Sequence, residues 1–149
     1  MDTDLKQEIE ERVNAFTVKD WAELQDLYNR LVGHKGSFSE MGGGQEIEPN
    51  VIEMPYTIEE PIVIEARKFF LNKHLIVPYD WSHWEKGKAM FRVREEDRFK
   101  DISLTDVIKL FIAVIRNDRF ADGAWADLFE NGDGQRLFKR LLDFKPTNP

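Results

Sequence analysis

Ser103-Leu104-Thr105-Asp106-Val107-Ile108-Lys109-Leu110-Phe111-Ile112-Ala113-Val114-Ile115-Arg116-Asn117-Asp118-Arg119 is the stretch on which the fold turns. Its apolar residues, Leu104, Val107, Ile108, Leu110, Phe111, Ile112, Val114 and Ile115, go nearly all the way round a helix. The polar stripe is confined to Thr105, Asp106, Lys109 and Arg116. A helix this apolar is buried on most of its sides. Leu104 to about Arg119 is therefore expected at the centre of the molecule, with Ser103 as its N-cap.

Working outward, the C-terminal flank supplies its own start signals. Asp122-Gly123 caps a short helix, Ala124 to Glu130, that turns Trp125, Leu128 and Phe129 inward. Asn131-Gly132-Asp133-Gly134 makes a turn, and residues 135–143 form a last helix with Leu137, Phe138, Leu141 and Leu142 inward. The tail from Lys145 to Pro149 is expected to fray. On the N-terminal side, Leu5, Ile9, Val13 and Phe16 mark one face of a helix over Thr3–Phe16. Thr17-Val18-Lys19-Asp20 reads as a capping box opening a second helix, which Gly33 ends. Thr57-Ile58-Glu59-Glu60 reads as another, opening a helix that runs to Leu71 with Ile58, Ile62, Ala66, Phe69 and Phe70 on one face. Leu75-Ile76-Val77 is a short buried run before Pro78. Asp80 caps a brief helical turn through Trp81 and Trp84 that ends near Gly87. Between these segments, residues 34–50 have loop composition, with Gly42-Gly43-Gly44 at their centre. Residues 51–56, with Pro55, read as a lone extended piece. The expectation is an all-α domain over residues 1–149: six or seven short helices around the 104–119 helix, with a flexible Gly-rich acidic loop at about 34–50.

Charge is unevenly placed. Residues 1–66 hold 15 Asp and Glu against 5 Lys and Arg, a balance of −10, whereas residues 67–149 hold 13 against 16, a balance of +3. No Lys or Arg lies between Lys35 and Arg67, an interval containing seven glutamates. Such asymmetry steers a basic partner. The net charge of −7 opposes general nucleic-acid binding.

Catalytic chemistry finds little support. There are no cysteines, which removes disulfides and thiolate sites and fits a reducing cytoplasm. His34, His74 and His83 are scattered without metal-ligand spacing, and calcium-loop registers starting at Asp127 or Phe129 fail at their ligand positions. No metal or cofactor is expected. The triple glycine is followed by Glu46 and Glu48, the wrong sign for a phosphate cradle. Ser37, Ser39, Ser82 and Ser103 lack a nucleophile motif. Trp81, Trp84, Phe91 and Phe99 interleave with six basic residues up to Lys100, a pattern suited to single strands. Four acidic residues in the same stretch cancel most of that field. No apolar run approaches the length of a membrane span, and no leader-like segment opens the sequence.

Arg116-Asn117-Asp118-Arg119-Phe120-Ala121-Asp122-Gly123 forms the corner after the central helix. Arg116 and Arg119 lie one turn apart near its C-terminal carbonyls, Asp118 and Asp122 are available to pair with them, and Phe120 can plug the corner. This Arg-x-x-Arg-Phe-x-Asp-Gly segment, with the Asp80-Trp81-x-x-Trp84 element, resembles a bacterial domain family of unknown function over roughly residues 52–144. The resemblance implies a bacterial or phage-type cytosolic origin and no assigned activity.

Two readings follow. In the first, the protein is a small acidic interaction or regulatory protein that binds a partner's basic surface through Glu46, Glu48, Glu53, Glu59 and Glu60, with an inhibitor that imitates nucleic acid as a variant. In the second, Asp80, Trp81, Trp84, Arg116, Arg119 and Asp122 converge on an anion or ligand pocket, which could serve catalysis. A homodimer through exposed aromatics is the third expectation.

Overall fold

In the computed structural model, which describes residues 2–93, 95 and 97–147, seven α-helices carry most of the chain. They are α1 (Asp2–Asn14), α2 (Val18–Gly33), α3 (Pro61–Asn72), α4 (Glu85–Arg92), α5 (Leu104–Asn117), α6 (Ala124–Glu130) and α7 (Asp133–Leu142). Helix α5 is central: it packs on α1, α4, α6 and α7. Val107, Ile108, Leu110, Phe111 and Ile112 are all buried, as the all-round apolar pattern requires. Ser103 caps α5 by accepting a hydrogen bond from the Asp106 amide at 3.1 Å. Thr17 and Asp20 form the complete capping box of α2.

The core is built from rings. Phe70 lies against Phe111 with ring centroids 4.4 Å apart, and Phe138 meets Phe111 edge-on at 5.3 Å. Trp125 packs edge-on to Phe129 at 5.0 Å, and its indole N–H donates to the Val63 carbonyl at 2.7 Å. The apolar bulk of these side chains drives burial, and the one polar atom among them is satisfied.

The fold is not purely helical. Residues 39–59 form four short antiparallel strands: β1 (Ser39–Gly42), β2 (Glu46–Glu48), β3 (Val51–Ile52) and β4 (Tyr56–Glu59). β1 pairs with β4, Ser39 opposite Glu59 and Gly42 opposite Tyr56; β2 pairs with β3, Glu46 opposite Ile52. The Gly44 amide bonds to the Glu53 carbonyl and the Glu53 amide to the Gln45 carbonyl, so the two pairs join into one two-stranded ribbon. Asn50, at a φ of 67°, makes the turn at its tip. Gly43 and Gly44 also adopt positive φ, and a Cβ on Gly43 would stand 2.3 Å from the Met54 carbonyl oxygen. The triple glycine is thus the condition for close strand approach here, where its composition reads as loop.

Other boundaries also differ from expectation. Thr57 to Glu59 belong to β4, and Glu60 caps α3 without a side-chain hydrogen bond. Pro61 then opens that helix, where its fixed φ fits and its missing N–H costs nothing. The Asp80 turn is a single 3₁₀ turn, Trp81–His83, and α4 continues past Gly87 to Arg92. Gly87 is needed there, because a Cβ would meet the Trp84 ring at 2.3 Å. Helix α7 starts at Asp133, and α5 stops at Asn117, slightly short of Arg119. Arg94 and Glu96 of the charge-dense segment, and Asn148 and Pro149 of the tail, lie outside the described residues.

Candidate functional site: an anchored ribbon and a basic aromatic hollow

The ribbon is fixed to the helical body at its base. Phe38, just before β1, is buried and packs against Phe129 with centroids 6.0 Å apart. The Glu130 carboxylate, at the end of α6, accepts from the Ser37 hydroxyl and from the Phe38 amide. Those two donors hold its carboxyl below the usual carboxylate range. Glu59 of β4 makes a two-point ion pair with Arg67 of α3, both contacts at 2.7 Å, and this raises the pKa of the guanidinium. The Thr57 amide donates to Asp122 at 2.7 Å. Three sides of the ribbon's base are therefore held, while its distal half meets solvent.

The exposed part combines two chemistries. Alternation in β4 turns Thr57 and Glu59 towards the body and leaves Tyr56 and Ile58 outward. Met54 and Ile52 continue that two-residue spacing and are 81% and 66% exposed. Opposite them, Gly42 has no side chain, and Tyr56 and Ile58 lean over it: a Cβ there would stand 2.6 Å from the Tyr56 ring. Around this apolar strip stand Glu40, Glu46, Glu48 and Glu53, all exposed. Of the five glutamates proposed from sequence, Glu46, Glu48 and Glu53 share this distal ribbon. Glu59 is consumed by Arg67, and Glu60 is half-buried at the start of α3. The apolar strip was missed in the sequence; alternation from Ile52 to Ile58 was its available signal.

The second set of residues converges only in part. Trp81, Arg116 and Arg119 line one open hollow with Pro78, Tyr79 and Phe120. Trp84 lies on the other side of Trp81, in an apolar slot of about 160 Å³ between α4 and α5 lined by Phe91, Leu110, Ala113 and Val114 among others. Asp80 faces His83 at 3.0 Å, which lowers the Asp80 pKa, and does not reach the arginines. Asp118 and Asp122 do not pair with the arginines either. Asp118 accepts from the Trp125 amide at 3.0 Å, capping α6, and Asp122 holds the ribbon. Neither Arg116 nor Arg119 has a carboxylate partner among the described residues. Phe120 does not plug the corner: it is 79% exposed and lies near-parallel to Trp81, ring centroids 6.3 Å apart. Lys109 stands 4.1 Å over the Trp84 ring and 5.0 Å over that of Tyr79, whose hydroxyl donates to the Lys109 carbonyl.

Between Trp81 and Lys100 the other aromatics and cations are largely engaged. Phe99 is buried, Lys86 pairs with Asp106 at 2.7 Å, and Arg98 pairs with Asp133. Among the described residues no group of three or more His, Asp or Glu is placed to hold a metal ion, and no helix is long and apolar enough to cross a membrane.

These features define a mostly helical domain that projects a two-stranded acidic arm beside a basic aromatic hollow. The chain belongs to a family of unknown function, DUF6508, whose model matches residues 16–147. The match takes in α2 and the whole ribbon, beyond the 52–144 span of the corner-motif resemblance. No curated protein and no solved structure is significantly similar to the chain.

Proposed function

We propose that this protein is a non-catalytic interaction module that binds a partner protein through the distal half of its β-ribbon. The observation that carries this reading is the exposed alternation Ile52, Met54, Tyr56 and Ile58 on a two-stranded ribbon rimmed by glutamates. A lone two-stranded ribbon is marginal in water. Exposed apolar surface of this kind, on a ribbon that pairs with no third strand among the described residues, marks an interaction site. The partner's matching surface is apolar at its centre and carries Lys or Arg at its rim, because the whole interval from Lys35 to Arg67 offers it carboxylates and no cation. Imitation of nucleic acid is the weaker variant, since a phosphate mimic has no use for the apolar strip. The anion-pocket reading keeps one supporting observation, the two arginines beside Trp81 that have no carboxylate partner among the described residues.

Photo-crosslinking tests the proposal. A crosslinking amino acid is placed at Met54, at the ribbon, and in a second sample at Val18, which is exposed on α2. Both are expressed in the native host. A discrete adduct from position 54, absent from position 18 and lost in E46K/E48K/E53K, is expected. Equal labelling from both positions, or labelling that survives charge reversal, overturns it.

A further inference from the structure

Resting on that reading of the ribbon, we infer that one occupant of the Trp81–Arg116–Arg119 hollow is the ribbon of a second copy of this chain. The argument is complementarity within one sequence. The ribbon offers carboxylates, Glu46, Glu48 and Glu53, interleaved with exposed Ile47, Ile52 and Met54. The hollow offers the converse: two guanidinium groups without carboxylate partners among the described residues, next to an apolar slot, with Trp81 as the shared wall. Guanidinium groups take carboxylates in a two-point geometry, as Arg67 already does with Glu59 in this molecule. The slot, about 160 Å³ and lined by Trp84, Phe91 and Leu110, accepts a branched or thioether side chain.

The interval between Lys35 and Arg67 carries glutamates and no Lys or Arg, whereas the lining of the hollow carries Arg116 and Arg119 and no acid, so the two surfaces have opposite signs. The ribbon's own base is tied to Asp122, three residues past Arg119, and from Tyr56 to its tip it extends roughly 20 Å at the usual strand rise. Docking on a second copy lets both ribbons engage at once. The contact is then reciprocal about a two-fold axis and closes at a dimer.

Sedimentation equilibrium of the full chain over a range of concentrations and two salt concentrations tests this with four samples: wild type, E46R/E48R/E53R, R116E/R119E, and an equimolar mixture of the two variants. Circular dichroism verifies that each variant is folded. Wild type is expected to dimerise, less at high salt. Each variant alone sets like charges against each other and should self-associate roughly tenfold more weakly or worse. The mixture restores opposite charges at both contacts and should dimerise again. A wild type that stays monomeric overturns the inference and leaves the proposed binding of another protein standing. A dimer that survives R116E/R119E but not the ribbon reversal also overturns it, in favour of edge-to-edge ribbon pairing. A mixture that stays monomeric while wild type dimerises overturns it as well. If position 54 gives no specific adduct at all, the ribbon reading itself fails.

Discussion

Glu59 and Arg67 meet through two parallel hydrogen bonds of 2.7 Å, tying the last strand of the ribbon to the first helix that follows it. Both side chains are largely shielded from solvent, so the pair is screened less than a surface bridge. Glu59→Gln keeps the shape and removes the charge. It should lower stability by about 1.5–3 kcal/mol, the usual range for hydrogen bonds to charged groups. Thermal denaturation measures the loss, and limited proteolysis should cut first within residues 39–59.

Glu130 makes the opposite anchor sensitive to acid. Its carboxyl is held below the ordinary value of 4.5 by the Ser37 hydroxyl and the Phe38 amide. Asp20 is lowered by Lys73, and Glu65 by Arg30. A carboxylate with a depressed folded-state pKa contributes stability that is fully present above its unfolded pKa and is lost as pH falls through the folded one. Unfolding free energy should therefore be flat near neutrality and fall as the pH drops below about 4.5. Glu130→Gln should remove part of that slope. Denaturant titrations at a series of pH values measure it.

Gly43 carries the closest approach in the ribbon. Its φ is +72° and the space of a Cβ is filled by the Met54 carbonyl oxygen. Gly43→Ala imposes both backbone strain and a clash with main chain, which cannot rotate aside. The strand pairing should be lost while the helical body stays intact. Amide exchange should show the Gly44 and Glu53 bonds unprotected and the α5 amides unchanged.

The reach of the sequence follows from these same residues. Helix α5 and the Thr17–Asp20 cap were legible because their signals are local: apolar spacing in one, a four-residue pattern in the other. The ribbon was not. Its strands are short, its alternating residues face solvent instead of a core, and Gly42-Gly43-Gly44 with Pro55 carries the same composition as an irregular loop. Thr57-x-x-Glu60 imitated a capping box because both residue types serve equally at a strand end. Trp81, Arg116 and Arg119 line one hollow because a helix corner and its packing partner bring them together. Asp118 and Asp122 were assigned to the arginines on proximity in sequence. The amides of Trp125 and Thr57 hold them instead, and no local rule shows that an amide 65 residues away will claim a carboxylate.

The apolar strip on the ribbon separates stability from binding. Ile52 and Met54 have little contact to lose, being 66% and 81% exposed. Ile52→Thr/Met54→Ser should leave the melting temperature nearly unchanged, with each substitution within about 0.5 kcal/mol. The same double variant should reduce binding of a hydrophobic dye and weaken any complex made through the ribbon. A large fall in melting temperature would mean that the strip packs on the body.

Asp133 tests a buried charge of the body. It is 4% exposed at the start of α7, between Arg98 and Arg136, and Arg98 stands over the Phe99 ring at 4.6 Å. The Arg98 Nε is buried without a hydrogen-bond partner among the described residues, one terminal nitrogen donates to the Glu95 carbonyl at 2.8 Å, and the other meets Asp133, the carboxylate that offsets its charge. Removing one member of a buried pair leaves the other's charge uncompensated, whereas removing both removes the desolvation cost as well. Asp133→Asn should therefore destabilise by about 3 kcal/mol, and Asp133→Asn/Arg98→Met should recover part of that loss. Arg98→Met alone should fall between the two, because Asp133 keeps Arg136 at 3.1 Å. Denaturant midpoints of the three variants form a double-mutant cycle, and additive losses would show that the two groups are not coupled.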